Sequence, residues 1–498
     1  MLEIKKYQFW FCPCTQDLYG DEVLQHVAEH SQEVVAALNA CPDVPFEVVL
    51  KPNLLTSDVI ENTFKAANND DACAGIITWA HTFSPSKNYI HGLRALKKPL
   101  CQFATQYNEE IPYDSIDMDF MNENQAAHGE RELGHIFARM RFAHKVIFGY
   151  WKNPQVLAEL GAWQRVAVGV NESKNIRVVR FADTMRNVAV TDGDKVEAEV
   201  KFGWTVDAYP VNELTAYVDA VSEADIKALA DEYYDTYDIL LDGRDPKEFR
   251  QHVEVQAGIE LGIERFLTDH NYNAFSDHFG DLGSLRELPS LAIQRLMQKG
   301  YGFGPEGDWK TPAMVRLMKV MTAGMEGAKG SCFMEDYTYN LVAGKEGILE
   351  SHMSEVDPSI ADGPIAIRET PLSMGDREDP ARLIFTGKTG PAIATSLIDL
   401  GNRFRLIVQE VDCKKVEKPM PKLPTGTMFW TPRPNLKTGT EAWILAGGAH
   451  HTAVSFDLTV QQMEDWAELM GIECAVIDAD TTIREFKRDL MLGEVCFR

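Results

Sequence analysis

The sequence predicts an α/β protein: two open-sheet, Rossmann-like α/β domains, followed by a carboxy-terminal domain built on an antiparallel sheet or barrel. Three observations carry this. Short β-rich runs alternate with helical patterns over roughly the first 175 residues, and the alternation continues to about residue 327. Beyond residue 330, strand-like runs follow one another with glycine turns between them. The chain has 498 residues, 45% apolar and 25% charged. That is enough for roughly three domains at about 150 residues each, with boundaries at 1–175, 176–327 and 328–498.

In the first stretch the β-rich runs are Tyr7–Cys12, Phe46–Leu50, Cys73–Ala80, Leu100–Thr105 and Val146–Tyr150. Between the first two, Glu22–Leu38 reads as a helix, because Val23, Leu24, Val27, Val34, Val35 and Leu38 recur at helical spacing. Parallel sheets of this kind gather ligands at loops beyond the carboxyl ends of their strands, here Pro13–Gly20, His81–Lys87 and Tyr107–Asp119. In the second stretch Val178–Phe181 reads as a strand, Thr191-Asp192-Gly193-Asp194 as a hairpin turn, and 223–236 and 246–270 as long helices. In the third, Ser331–Val342, Ile348–Val356, Ala381–Phe385, Ala392–Ile398, Phe404–Val411 and Ala442–Ala446 read as strands, with turns at Gly387, Gly390 and Gly401. A helix near 459–470, a strand Cys474–Ile477 and a last helix close the chain.

Charge narrows the partners. With 49 basic and 75 acidic residues the net charge is −26, which disfavours nucleic-acid phosphates and anionic membranes, both of which need a basic face. A small neutral substrate or a metal cation is expected instead. No apolar run approaches the roughly 18 residues that cross a bilayer. The start, Met1 to Lys6, lacks the apolar region of a secretion signal, so a cytoplasmic location is expected. Nine scattered cysteines, an odd number, do not make a disulfide framework, and Cys12-Pro13-Cys14 reads as two thiols at a strand end.

Four segments carry candidate chemistry. His26-Val27-Ala28-Glu29-His30 matches the H-x-x-E-H of a zinc peptidase class and puts both imidazoles on one helix face. The apolar positions already explain this helix as an ordinary surface element, so zinc chemistry is set aside. Gly302-Phe303-Gly304-Pro305-Glu306-Gly307 spells a dinucleotide fingerprint, which has meaning only after a strand. Pro289–Lys299 before it reads as a helix, with Ile293, Leu296, Met297 and Gly300 at i, i+3, i+4 and i+7. Nucleotide binding is rejected, and what remains is the carboxylate of Glu306 in a glycine-rich loop. Along Ser331–Tyr339, strict alternation places Phe333, Glu335, Tyr337 and Tyr339 on one face, two aromatics flanking a carboxylate in a half-buried setting that would raise or fix its basicity. In the next run Leu349 and Met353 face one way, Glu350 and His352 the other. In Gly447-Gly448-Ala449-His450-His451-Thr452, alternation admits only one histidine of the pair to a given site. Together these acids and imidazoles could form a mixed carboxylate–imidazole site, suited to Mn²⁺, Co²⁺ or Mg²⁺ more than to thiolate-type zinc.

At these residues the chain resembles the L-arabinose isomerase family. The matching stretches are Gln16-Asp17-Leu18-Tyr19-Gly20, Trp79 to Pro85, Ile116 to Asn122 read as far as His128, Val188 to Lys195, Gly307-Asp308-Trp309-Lys310-Thr311, Phe333 to Tyr339, and Glu441–Thr452. The resemblance implies two α/β domains and a carboxy-terminal domain containing an antiparallel β-barrel. It also implies the conversion of L-arabinose to L-ribulose through an enediol. The implied metal ligands are Glu306, Glu335, His352 and His451, with Glu306 and Glu335 also the acid/base pair and Mn²⁺ the usual ion. Substrate-pocket roles fall on Gln16, Leu18, Tyr19, Gln125, His128, Met185, Phe279 and His450. The amino-terminal ones approach the active site of an adjacent subunit, so the resemblance implies a homo-oligomer, typically a hexamer. One departure stands out: the family usually reads Gly-Ser-Gln-His-Leu-Tyr-Gly where this chain has Cys14 to Gly20, with Asp17 between two pocket residues. An isomerase for D-galactose or L-fucose, and a non-catalytic sugar-binding protein, are the rival readings.

Overall fold

The computed structural model describes residues 2–372 and 377–497. They form two compact units, Ile4–Asn171, and Glu172–Arg498 together with Met1–Glu3.

The Ile4–Asn171 unit is one parallel sheet of β1 (Gln8–Cys14), β2 (Glu47–Leu50), β3 (Cys73–Ala80), β4 (Leu100–Ala104) and β5 (Lys145–Phe148), in the order β2-β1-β3-β4-β5. Every residue of β3 is buried, as expected of a central parallel strand covered on both faces, and this is why Cys73–Ala80 reads as an unbroken apolar run. The helix Gly20–Ala40 turns Val27, Val34, Val35 and Leu38 inward. Helix Ser57–Asn69 starts on the side chain of Thr56, which accepts from the Val59 N–H.

The larger unit opens with a second parallel sheet of β6 (Arg177–Phe181) and β7 (Thr205–Tyr209), joined by β9 (Ala274–Ser276) and β10 (Gly302–Phe303) in the order β10-β9-β6-β7. Strand β8 (Asp238–Leu240) belongs elsewhere. It pairs parallel with β13 (Ala366–Glu369), which pairs antiparallel with β14 (Ala381–Ile384). Six strands then close an antiparallel barrel: β11 (Ser331–Asn340), β12 (Gly347–Ser351), β15 (Gly390–Asp399), β16 (Phe404–Lys414), β17 (Thr427–Pro432) and β18 (His451–Ser455). The order is β15-β18-β11-β12-β17-β16, and β15 pairs with β16 to complete the ring. Strand β19 (Glu473–Ile477) is added parallel to β16. Apolar side chains of β11, β12, β15, β16, β17 and β18 share one core with Phe249 and Val253 of the long helix Pro246–Asp269.

Four local expectations are corrected. The segment Thr191–Asp194 makes no hairpin: β6 and β7 run parallel, and Asp194 accepts from the N–H groups of Val196 and Glu197 to start the helix Lys195–Phe202. The turn-type residues there signal a helix cap. Ala442–Ala446 is the last part of a helix, Leu436–Ala446, begun by Asn435 and ended by Gly447 at φ 85; Leu436, Gly439, Ala442, Trp443 and Ala446 are its buried stripe, a period that five apolar residues taken alone conceal. Alternation along β11 breaks near Tyr337, where the register with β12 shifts between Asp336 and Thr338. Tyr339 therefore lands on the face of Asp336 and Glu350 and does not share that of Glu335. Finally, β12 ends at Ser351, so Glu350 is fully buried beside Asp336 while His352 turns toward Glu335.

Candidate active site

Glu306 occupies the loop between β10 and the helix Lys310–Met321, at φ 63. For a residue with a Cβ this left-handed conformation costs roughly 1–2 kcal/mol, and the surrounding backbone imposes it. The Met185 N–H donates to the Glu306 carbonyl at 2.9 Å, and the Gly307 N–H donates to the Asp277 carbonyl at 2.9 Å. A Cβ at Gly307 would lie 2.4 Å from the Asp183 carbonyl oxygen, and one at Gly302 would lie 2.0 Å from that of Pro312. The glycines of this fingerprint serve close packing of backbone on backbone.

Glu335 lies on β11 directly opposite His451 on β18 and Ser351 on β12, so the barrel's register sets an acid beside an imidazole. His451 is fully buried. Its Nδ1 lies 3.2 Å from Asp308 Oδ2, and an ionised carboxylate only accepts, so the proton sits on Nδ1. That tautomer leaves a lone pair on Nε2, which has no hydrogen-bond partner among the described residues and lies 3.7 Å from Glu306 Oε2. His450 is also present: its Nε2 is 4.0 Å from Glu306 Oε2 and 3.9 Å from Glu335 Oε1. The expectation that only one of the two histidines can enter one site is therefore corrected. β18 begins at His451, so pleating does not govern His450. On the other side of Glu335, His352 Nε2 lies 3.3 Å from Oε2, and Nδ1 is 2.5 Å from Glu355 Oε2. Phe333 presents its ring edge-on to both His352 and His451.

Charge is concentrated here. Burial pushes the Glu335 carboxyl up, against the pull of His352 and His451. Burial would lower His352, but Glu355, Glu335 and Glu306 around it raise it to about 9. His450 is lowered to about 4 by burial and by His451. Asp277 is raised to about 8, by burial first and then by Glu355. Asp308 would be raised by burial, yet Lys310, His451 and Thr311 hold it well below the usual carboxylate range. Glu306, Glu335, His352, Asp277, Phe279 and Tyr337 line a cavity of about 110 Å³.

These groups fit a divalent cation. Ligand atoms of Glu306, His450 and His451 all lie within 4.8 Å of one another. Atoms each about 2.1 Å from one ion stand roughly 3.0 Å apart at right angles and 4.2 Å apart in line, and the acid–imidazole separations of 3.3–4.0 Å fall in that window. The unpartnered Nε2 of a buried imidazole is the group such an ion would satisfy. Met185 and Phe279 adjoin the site, the first through its bond to Glu306 and the second in the cavity wall. Gln16, Leu18, Tyr19, Gln125 and His128 belong to the Ile4–Asn171 unit. There Leu18 is 80% exposed, and His128 Nδ1 is 3.0 Å from Gln125 Oε1. Sequence reasoning missed Asp308, Glu355 and Asp277, whose partners are fixed only by the fold. The one available signal was Asp308 two residues before a helix, a position where a carboxylate accepts from the Lys310 N–H at 2.9 Å.

Three domain profiles match consecutive stretches of the chain: the L-arabinose isomerase N-terminal domain over residues 3–175, the central domain over 177–324 and the C-terminal domain over 330–473. The L-arabinose isomerase of Geobacillus stearothermophilus is 52% identical over 498 residues, covering 100% of both chains. The chain belongs to the L-arabinose isomerase family. The L-arabinose isomerases of Geobacillus thermodenitrificans and Clostridium beijerinckii, at 52% and 49% identity over 498 residues and 100% of each chain, are further relatives. Membership makes the protein an enzyme, an aldose–ketose isomerase, and its fold of parallel-sheet α/β domains with a closed carboxy-terminal barrel is as the resemblance implied. No helix among the described residues is long and apolar enough to cross a membrane.

Proposed function

We propose that the protein converts L-arabinose to L-ribulose, with Glu306, Glu335, His352 and His451 holding one Mn²⁺ for which Co²⁺ or Mg²⁺ can substitute. The observation that carries this is the buried, unpartnered Nε2 of His451 aimed at Glu306, beside the Glu335–His352 pair. The cation, when bound, supplies Lewis-acid stabilisation for charge developing on the first two sugar oxygens. The chain supplies proton transfer. One of Glu306 and Glu335 takes the proton from C2 and returns it to C1, and the other carries the hydroxyl proton from O2 to O1, so the product differs from the substrate only in where two hydrogens sit. Such positioned acid/base transfer is worth typically about 10²–10⁴-fold. The raised Glu335 carboxyl suits a group that must both accept and release a proton. Asp308 and Glu355 act through His451 and His352, fixing tautomer and ring orientation.

His450, Met185 and Phe279 contact the sugar, and Gln16, Leu18, Tyr19, Gln125 and His128 reach it from a neighbouring copy in a cytoplasmic homohexamer. The exposure of Leu18 supports a contact made by another chain. Three domains, 1–175, 176–327 and 328–498, are consistent with the matched profiles. Asp17, exposed between Gln16 and Leu18, favours a second reading in which D-galactose or L-fucose is the better substrate. The deciding test is formation of L-ribulose from L-arabinose before and after chelation, with a panel of aldoses alongside. Activity lost on chelation and restored by Mn²⁺ is expected. Turnover indifferent to chelator would overturn the metal assignment, and absence of any ketose product would overturn the substrate.

A further inference from the structure

We infer that His30, His81 and Glu123 of the Ile4–Asn171 unit form a second divalent-cation site, for an ion of the Zn²⁺, Co²⁺ or Ni²⁺ class. The H-x-x-E-H run, read alone, says little, but the fold brings it two partners from remote stretches. His81 follows β3 at its carboxyl end and is fully buried. Its Nδ1 lies 3.0 Å from the Glu123 carbonyl oxygen, which can only accept, so the proton is on Nδ1 and Nε2 carries a lone pair. That lone pair accepts from His30 Nδ1–H, 2.7 Å away, so a cation entering between the two nitrogens displaces that proton, which His30 can carry on Nε2 instead. Burial and the neighbouring His30 hold His81 at a pKa of about 4, and burial lowers His30 as well, so both rings are neutral, the form that ligates metals. The Glu123 carboxylate completes the set, with ligand atoms of His30, His81 and Glu123 all within 4.8 Å of one another.

The ring of His30 is pre-oriented. It stacks on Tyr107 with centroids 3.6 Å apart, and the Tyr107 hydroxyl donates to Glu33 at 2.6 Å. His26, one helical turn away, donates from Nδ1 to Glu123 Oε2 at 3.1 Å and so orients that carboxylate. Two nitrogens on one tetrahedral ion, at bonds of about 2.05 Å, are separated by roughly 3.3 Å. The imidazole pair must therefore open by about 0.6 Å, which the half-buried His30 can supply. Two imidazoles and one carboxylate suit borderline cations. A peptidase is not implied, since Glu29 accepts from Gln25 along the exposed helix surface and so does not face the cluster. The consequence is structural. Glu123 ends the short helix Met118–Glu123, and the Gln125 N–H donates to the His81 carbonyl at 3.1 Å, so a cation here pins the 118–125 segment to the end of β3.

The test is equilibrium dialysis of the chelator-stripped, full-length chain against Co²⁺. Wild type should bind one equivalent more than His30→Ala or, should that variant fold poorly, than Glu123→Gln. In a Glu306→Gln/His451→Ala background one equivalent should remain, with a visible ligand-field band that disappears when His30→Ala is added, and affinity should drop at least about tenfold. Stoichiometry unchanged by both His30→Ala and Glu123→Gln, or no cobalt bound in the Glu306→Gln/His451→Ala background, would overturn the inference. Because that background removes the isomerase ligands, failure of the isomerase reading would appear in a different arm.

Discussion

Replacing Asp308 by asparagine isolates one charge while keeping shape and hydrogen-bonding capacity. Asp308 is 1% exposed; its carboxylate faces His451 Nδ1 at 3.2 Å and the buried Lys310 Nζ at 3.7 Å. At an effective dielectric of about 20, the Lys310 attraction alone amounts to roughly 4 kcal/mol. Asp399 and Asp192 also act on Lys310, so part of that is retained, and the expected destabilisation is about 3 kcal/mol, at the lower end for a broken buried pair. The asparagine oxygen can still accept from His451, but without a charge it no longer increases the basicity of Nε2, and Mn²⁺ affinity should fall about 10–100-fold. The pH dependence has a definite sign. The folded-state Asp308 is held below its ordinary value of 3.8, so its stabilisation is fully present above that pH and is lost as the pH falls through the folded value. The gap between wild type and variant should be flat from neutral pH to about 4 and narrow below it. Thermal melts in chelator and Mn²⁺ titration by calorimetry read the two effects separately. An Asp308→Asn protein with wild-type melting and Mn²⁺ affinity within twofold would refute the reasoning.

Further outcomes are expected elsewhere. Glu306→Gln and Glu335→Gln should each abolish L-arabinose turnover with the circular-dichroism spectrum unchanged; near-normal kcat with unchanged metal content in either would remove that residue from the chemistry. His451→Ala should lose more Mn²⁺ than His450→Ala when both are measured by metal analysis after dialysis, and equal losses would show that Nε2 of His451 is not a ligand. The buried Glu130 carboxyl is raised from 4.5 to about 7 by burial, against its bonds to the Ala80 N–H and Gln102. It is neutral in both states below 4.5, so stability should decline between pH 4.5 and 7 and level off above. The cost there is about 3 kcal/mol, and Glu130→Gln, followed by melts across that range, should flatten the decline.

Much of this was legible because burial writes itself into composition. Cys73–Ala80, covered on both faces, could be read to the residue, and the long helices expected at 223–236 and 246–270 stand at Glu223–Thr236 and Pro246–Asp269. The site was legible only in part. Glu306 was identifiable as a carboxylate in a glycine-rich loop, but its left-handed backbone depends on Asp183, Met185 and Asp277, which no local pattern joins to it. Tyr339 was misplaced because the register shift near Tyr337 leaves no compositional trace. The two-histidine entry was invisible for a different reason: whether His450 lies inside or just before a strand is decided by where the helix ending at Ala446 releases the chain.

Cross-strand pairing in the barrel acts as a ruler for the chemistry. Glu335 faces His451 only because Phe333 is aligned with Ala453 and Cys332 with Val454. A slip of a single position would offer Met334 or Asp336 in place of the acid and send Glu335 to the opposite side of the ribbon. Fidelity of the ligand set is thereby entrusted to apolar neighbours that never meet the sugar, and silent-looking changes among them become a route by which activity drifts while every polar group stays in place.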